Sequence, residues 1–86
     1  MKVMEPAPNP VREACVVPLY VERSSVIEMR LLDALGNHVA TLFNGTVQEG
    51  IQGVSFVTTG LVSGHYTVVV TDAVGVVGSV PIVILK

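Results

Sequence analysis

Apolar side chains recur at every second position through most of this chain, in short runs separated by glycine, proline, asparagine and aspartate. Ile27, Met29 and Leu31 alternate with Glu28 and Arg30. Cys15, Val17, Leu19 and Val21 alternate with Ala14, Val16, Pro18 and Tyr20. Period-two patterning sends one set to a buried face and the other to solvent, which is strand behaviour. Nineteen of the 86 residues are valine, and a branched Cβ suits a pleated surface better than a helix. Runs at roughly 8–12-residue spacing predict about seven strands, hence an all-β antiparallel sandwich.

The turns divide the chain. Lys2 to Glu5 reads as a short first strand, and the three prolines of Pro6-Ala7-Pro8-Asn9-Pro10 then impose an extended segment. Residues 1–10 are therefore a proline-rich lead-in to a single domain spanning residues 1–86. Pro18 has no amide to donate, which predicts an edge strand or a bulge there. Glu22 to Ser25 is a polar turn. Leu31 and Leu32 close one apolar run, Asp33-Ala34-Leu35-Gly36 make a tight turn, and Val39 to Phe43 form the next strand. Asp suits the first turn position because its carboxylate accepts backbone amides; Gly suits the last because it takes positive φ without a Cβ clash.

Asn44-Gly45 reads as another turn, which accounts for the pair without invoking the glycosylation acceptor that Asn44-Gly45-Thr46 also spells. Glu49 to Gly53 reads as a loop, followed by a strand with Val54 and Phe56 inward. Thr58 to Gly64 is a compact connection anchored by Leu61. Tyr66 to Thr71 and Val76 to Leu85 pair across Asp72-Ala73-Val74-Gly75. Thr67 to Leu85 is apolar enough to raise a membrane span, but Asp72, Gly75, Gly78 and Pro81 interrupt it, and a hairpin explains it better.

Eighty-six residues bury only about 60–65% of their unfolded surface, enough for a core but little for an enclosed active site. Half the residues are hydrophobic and 14% are charged, which argues against disorder. The net charge of −2 comes from scattered residues, so no basic patch is present to bind nucleic acid. Cys15 is the only cysteine, and its apolar run predicts a buried, reduced thiol. Met1 to Pro6 carries an acid and a proline where a secretion signal needs an apolar segment.

Catalysis finds little support. His38 and His65 are the only histidines, and none of Ser24, Ser25, Ser55, Ser63 or Ser79 lies in a nucleophile-elbow context. Two isolated histidines and one cysteine lack metal-ligand spacing; Asp33, Asn37 and Asp72 do not form a calcium loop. No glycine-rich phosphate cradle follows a strand and opens a helix. The residues predict a protein that is not an enzyme and needs no cofactor.

Four blocks occur in a fixed order: Pro8-Asn9-Pro10; Asp33-Ala34-Leu35-Gly36 followed by Val39-Ala40-Thr41-Leu42; Gly60-Leu61-Val62-Ser63-Gly64-His65-Tyr66; and Ile82-Val83-Ile84-Leu85-Lys86. In this the chain resembles the C-terminal sorting domains of cargo proteins of the bacterial type IX secretion system. The resemblance covers nearly the whole chain. Two positions depart from that family's habit: Leu32 stands where an aromatic residue is usual, and Pro81 where a basic one is common.

The resemblance implies an immunoglobulin-like sandwich following an upstream cargo domain, with no chemistry of its own. The cargo would wait in the periplasm, meet shuttle proteins and the outer-membrane translocon, and end at the cell surface or secreted. A sortase would remove the domain in many cargoes. Under this reading Asp33, Leu35, Gly36, Gly60, Leu61, Gly64 and Tyr66 are motif turns that fix the register. The last strand, an edge with unpaired amides and carbonyls, is the candidate recognition element for translocon or sortase, through Pro81, Ile82, Val83, Ile84, Leu85 and Lys86. Exposed edges also allow a homodimer by strand pairing. Two other roles fit similar turns. One is a structural module like the immunoglobulin-like domain of flagellar hook-capping proteins. The other is a sorting-type domain retained uncleaved for docking or regulation.

Overall fold

The computed structural model describes all 86 residues, Met1–Lys86, and contains no helix. Seven strands form: β1 (Lys2–Val3), β2 (Ala14–Val21), β3 (Ser25–Asp33), β4 (His38–Val47), β5 (Gly50–Val57), β6 (Gly64–Thr71) and β7 (Val76–Ile84). They make two antiparallel sheets, ordered β1-β2-β5 and β4-β3-β6-β7. This is an immunoglobulin-like sandwich in which the fourth strand joins the larger sheet, beside the third.

The alternation does what the patterning predicts. Cys15, Val17, Leu19 and Val21 of β2 are buried, as are Ile27, Met29 and Leu31 of β3 and Tyr66, Val68 and Val70 of β6. Val80, Ile82 and Ile84 of β7 close the same core. Their sequence neighbours point outward, so every strand has one wet face.

Three local expectations are corrected. Asn44-Gly45 makes no turn: both lie within β4, opposite Glu28 and Ile27, and Gly45 does not have positive φ. The ladder with β3 continues to Val47, and a Cβ at 45 would meet the Phe43 ring in ordinary contact, 3.5 Å from its Cζ. The turn falls instead at Gln48-Glu49, so Gly50 to Gly53 belongs to β5 and is not a loop. Gly53 leaves room for Val16 across the ladder, whose Cγ1 would stand 3.1 Å from an added Cβ.

β2 is the middle strand of its sheet and not an edge, despite Pro18. Pro18 turns its carbonyl toward the lead-in, where it accepts the Met4 amide at 2.9 Å. The same side of Val16 exchanges two hydrogen bonds with Ala7. Between Met4 and Ala7 the lead-in bulges away, and that gap is where the missing Pro18 donor faces.

Beyond Ala7 the lead-in changes sheets. The Ala7–Pro8 and Asn9–Pro10 peptide bonds are cis. Val11 is fully buried and lies parallel to β7: its amide donates to the Val83 carbonyl at 2.7 Å, and its carbonyl accepts the Leu85 amide at 2.8 Å. The first eleven residues thus pair with one sheet and then cover the edge of the other.

Candidate functional site

The Asp33 turn is held by its own carboxylate. One oxygen, Oδ1, accepts the amides of Leu35 and Asn37, each at 2.9 Å, and the other accepts the Asn37 side-chain amide at 3.3 Å. The Gly36 amide donates to the Asp33 carbonyl, and Gly36 takes φ +85°. Leu35 is exposed, so its contribution to the motif is not core packing.

The Asn37 amide, aided by those of Leu35 and Gly36 and the Asn37 side chain, holds the Asp33 carboxyl below its ordinary 3.8, against a smaller effect of burial. A depressed folded-state value means stability that is present at neutral pH and lost as the solution is acidified through the carboxylate range. Asp33→Asn keeps the acceptor oxygen but removes the charge. Urea midpoints should therefore fall less between about pH 7 and about pH 3 in Asp33→Asn than in the wild type. An identical acid dependence in the two proteins would show that the turn carboxylate has no preferred charge state.

The third block is a corner. The Tyr66 hydroxyl, near the start of β6, donates to the Val62 carbonyl at 2.7 Å, the tyrosine-corner arrangement of immunoglobulin-like sandwiches. Gly60 supplies φ +82°, and Leu61, half-buried, packs on the core beside it. Ser63 accepts the Lys86 amide on its hydroxyl at 2.9 Å. The spacing Gly-Leu-x-Ser-Gly-x-Tyr is thereby accounted for by chain reversal and by tethering of the last strand.

The fourth block is not the open edge that its position in the sequence suggests. Along the outer side of β7, Pro81 has no amide to offer, and its carbonyl accepts the Asn9 side-chain amide at 3.4 Å. Asn9 Oδ1 accepts the Val83 amide at 3.0 Å, and Val11 takes the Val83 carbonyl and the Leu85 amide. Backbone pairing by a second chain between Pro81 and Leu85 would require displacement of residues 9–11. What this strand leaves available are side chains: Pro81, Leu85 and Lys86 are exposed and Val83 is half-buried, whereas Ile82 and Ile84 point into the core.

All four blocks meet at one place. A shallow depression of about 270 Å³ is lined by Asn9 from the first, Asp33 and Ala34 from the second, His65 and Tyr66 from the third, and Ile82 and Val83 from the fourth, with Thr67 and Pro81 between them. Register explains the convergence, since Asp33 pairs with Tyr66 and Tyr66 with Ile82, while Asn9 bridges Pro81 and Val83. His65, Thr67, Pro81 and Val83 present a mixed polar and apolar surface there, beside the Asp33 carboxylate. Leu35, Gly60 and Lys86 stand outside it.

Thr58 is the residue that sequence reasoning overlooked. It is the one buried polar side chain, and its hydroxyl donates to the Arg12 carbonyl at 2.8 Å. Its amide binds Glu13, and its carbonyl accepts both the Leu61 amide and the Lys86 ammonium. Thr58 thus joins the lead-in, the corner and the last residues of the chain. A Thr-Thr-Gly loop carries no local sign of this, because the partners of its hydroxyl, Arg12 and Glu13, are 45 or so residues away.

Cys15 is buried, and desolvation raises its thiol pKa above the ordinary value, partly opposed by the Ala7 backbone hydrogen bond. That environment suits packing and not nucleophilic attack. His38 and His65 lie exposed on separate strands, with the Thr41 hydroxyl beside His38. No family model, no curated protein and no solved structure matches the chain.

Proposed function

We propose that this domain is a non-catalytic C-terminal sorting signal that sends a cargo protein from the periplasm through the type IX translocon, for sortase removal and surface attachment. The observation that carries the reading is the meeting of all four motif blocks on one depression beside Asn9, Asp33, His65 and Pro81. An address must look the same on unrelated cargoes. A surface whose parts come from both ends of the chain, fastened to each other by Asn9, keeps its shape whatever precedes it. Because residues 9–11 already fill the outer side of β7, the shuttle or translocon reads side chains around Pro81 and Val83 and does not add a strand there.

The test is a reporter bearing a signal peptide, fused ahead of these 86 residues in a host with the secretion system. Surface display or release of the reporter is expected, and deletion of Val83 to Lys86 should retain it in the periplasm. Retention of the intact fusion, or normal display of the truncated one, would overturn the reading.

A further inference from the structure

Every sheet ends in two edges, and three of the four here are blunted. β1 is two residues long, and β7 carries Asn9 and Val11 along its outer side. β4 is broken by register shifts at Met29/Arg30 and at Leu31/Leu32. Short strands, covering segments and bulges are how monomeric β proteins avoid pairing edge to edge. β5 has none of these. Gly50–Val57 contains no charged residue and no proline, and it pairs with β2 in unbroken register.

The direction of its free groups follows from β2. Val16 and Pro18 turn their polar groups toward the lead-in, so Cys15, Val17, Leu19 and Val21 face β5. Their partners Phe56, Val54, Gln52 and Gly50 are thereby used. Ile51, Gly53, Ser55 and Val57 aim their amides and carbonyls at solvent, and no turn, loop or side-chain hydrogen bond reaches them. The side chains of these same residues lie on the outer face, where Ile51 is 65% and Val57 64% exposed.

We propose that β5 is the docking edge for a second copy of this chain, in an antiparallel two-fold pairing that fuses two three-stranded sheets into one. The sequence of that edge favours a copy over a foreign peptide, because it reads the same in both directions: large apolar, small, small, large apolar. A two-fold axis through Val54 sets Ile51 against Val57 of the second copy, and Gly53 against Ser55. In that register each outward residue meets another outward residue, so both hydrogen bonds of every such pair can close. The two exposed aliphatic side chains at either end gain a cross-strand partner. Glu49 falls opposite Thr59, so no like charges meet.

Dimerisation through β5 is independent of export, and the two are tested separately. Sedimentation equilibrium of the purified domain over a concentration series should show a reversible monomer–dimer equilibrium. The double variant Ile51→Lys/Val57→Lys sets lysine against lysine at both ends, and its dimer should be weaker by about tenfold or more. Ile51→Lys/Val57→Glu sets lysine against glutamate in this register alone, and should restore most of that loss. Ser55→Pro removes one outward donor without touching the β2 ladder and should also weaken the dimer. Circular dichroism of each variant confirms a folded monomer. A wild-type domain that stays monomeric into the millimolar range would overturn the proposal. So would a dimer that responds equally to the lysine–lysine and lysine–glutamate pairs.

Discussion

Leu31→Ala is expected to destabilise the domain by about 3 kcal/mol, and Leu32→Ala by less than about 1 kcal/mol. The two leucines are adjacent, chemically identical, and belong to the same motif strand. Leu31 is 0% exposed and faces the core opposite Val68, so truncation leaves a cavity among residues that cannot collapse into it. Leu32 points the other way, opposite Thr67 and His38, and its loss trims a half-buried surface contact. A domain of this length has roughly 4–13 kcal/mol of stability in total, so the first change removes a large share. Urea unfolding of the two variants reads the difference directly. A larger loss from Leu32→Ala than from Leu31→Ala would mean that β3 is shifted by one residue, since such a slip exchanges the two faces.

Removal of residues 1–11 has the larger effect. It exposes the sites now filled by Val11, which is fully buried, and by Val3, whose methyl stands 3.1 Å from where a side chain on Gly78 would begin. Burial of Val11 alone is worth roughly 1.5–3 kcal/mol, and half-buried Val3 adds to it. The deletion also opens two edges at once, the lead-in side of β2 and the outer side of β7. The truncated chain is expected to unfold or aggregate at ambient temperature, by thermal melting and light scattering. Val11→Ala alone, which keeps the backbone pairing, should cost only about 1–2 kcal/mol and leave a soluble domain. A cooperative melt from the deletion close to that of the full chain would mean that the lead-in is ornamental.

Strand positions were legible because their signal is local. Alternation along β2, β3 and β6 needs nothing beyond the strand itself, and the Asp33–Gly36 turn is stabilised by groups within four residues of one another. Asn44-Gly45 misled because the pair permits a turn without compelling one, and β3 offers that stretch a ladder to occupy. Pro18 misled in a related way. Its missing donor leaves a partner carbonyl unserved on one side only, and the lead-in bulges at that point.

The candidate site was visible as motifs but not as a place. Asp33, Tyr66 and Pro81 come together through sheet register, and Asn9 reaches Pro81 and Val83 across more than 70 residues of sequence. A Pro-Asn-Pro segment reads as a spacer until its asparagine is seen to satisfy an edge strand. Thr58 was illegible for the same reason. The open character expected for the last strand was a fair inference from strand order, and the closure comes from a segment with almost no regular structure of its own.

That closure is the claim on which both the presented surface and the stability of the lead-in depend. Native-state amide exchange, read by NMR on the wild type and on Asn9→Ala, tests it residue by residue. In the wild type the Val83 and Leu85 amides should both exchange far more slowly than in the unfolded chain. In Asn9→Ala the Val83 amide should become fast while Leu85, held by the Val11 carbonyl, stays slow. Val83 and Leu85 amides that exchange in the wild type at unfolded-chain rates would contradict the account, and the last strand would then be an open edge.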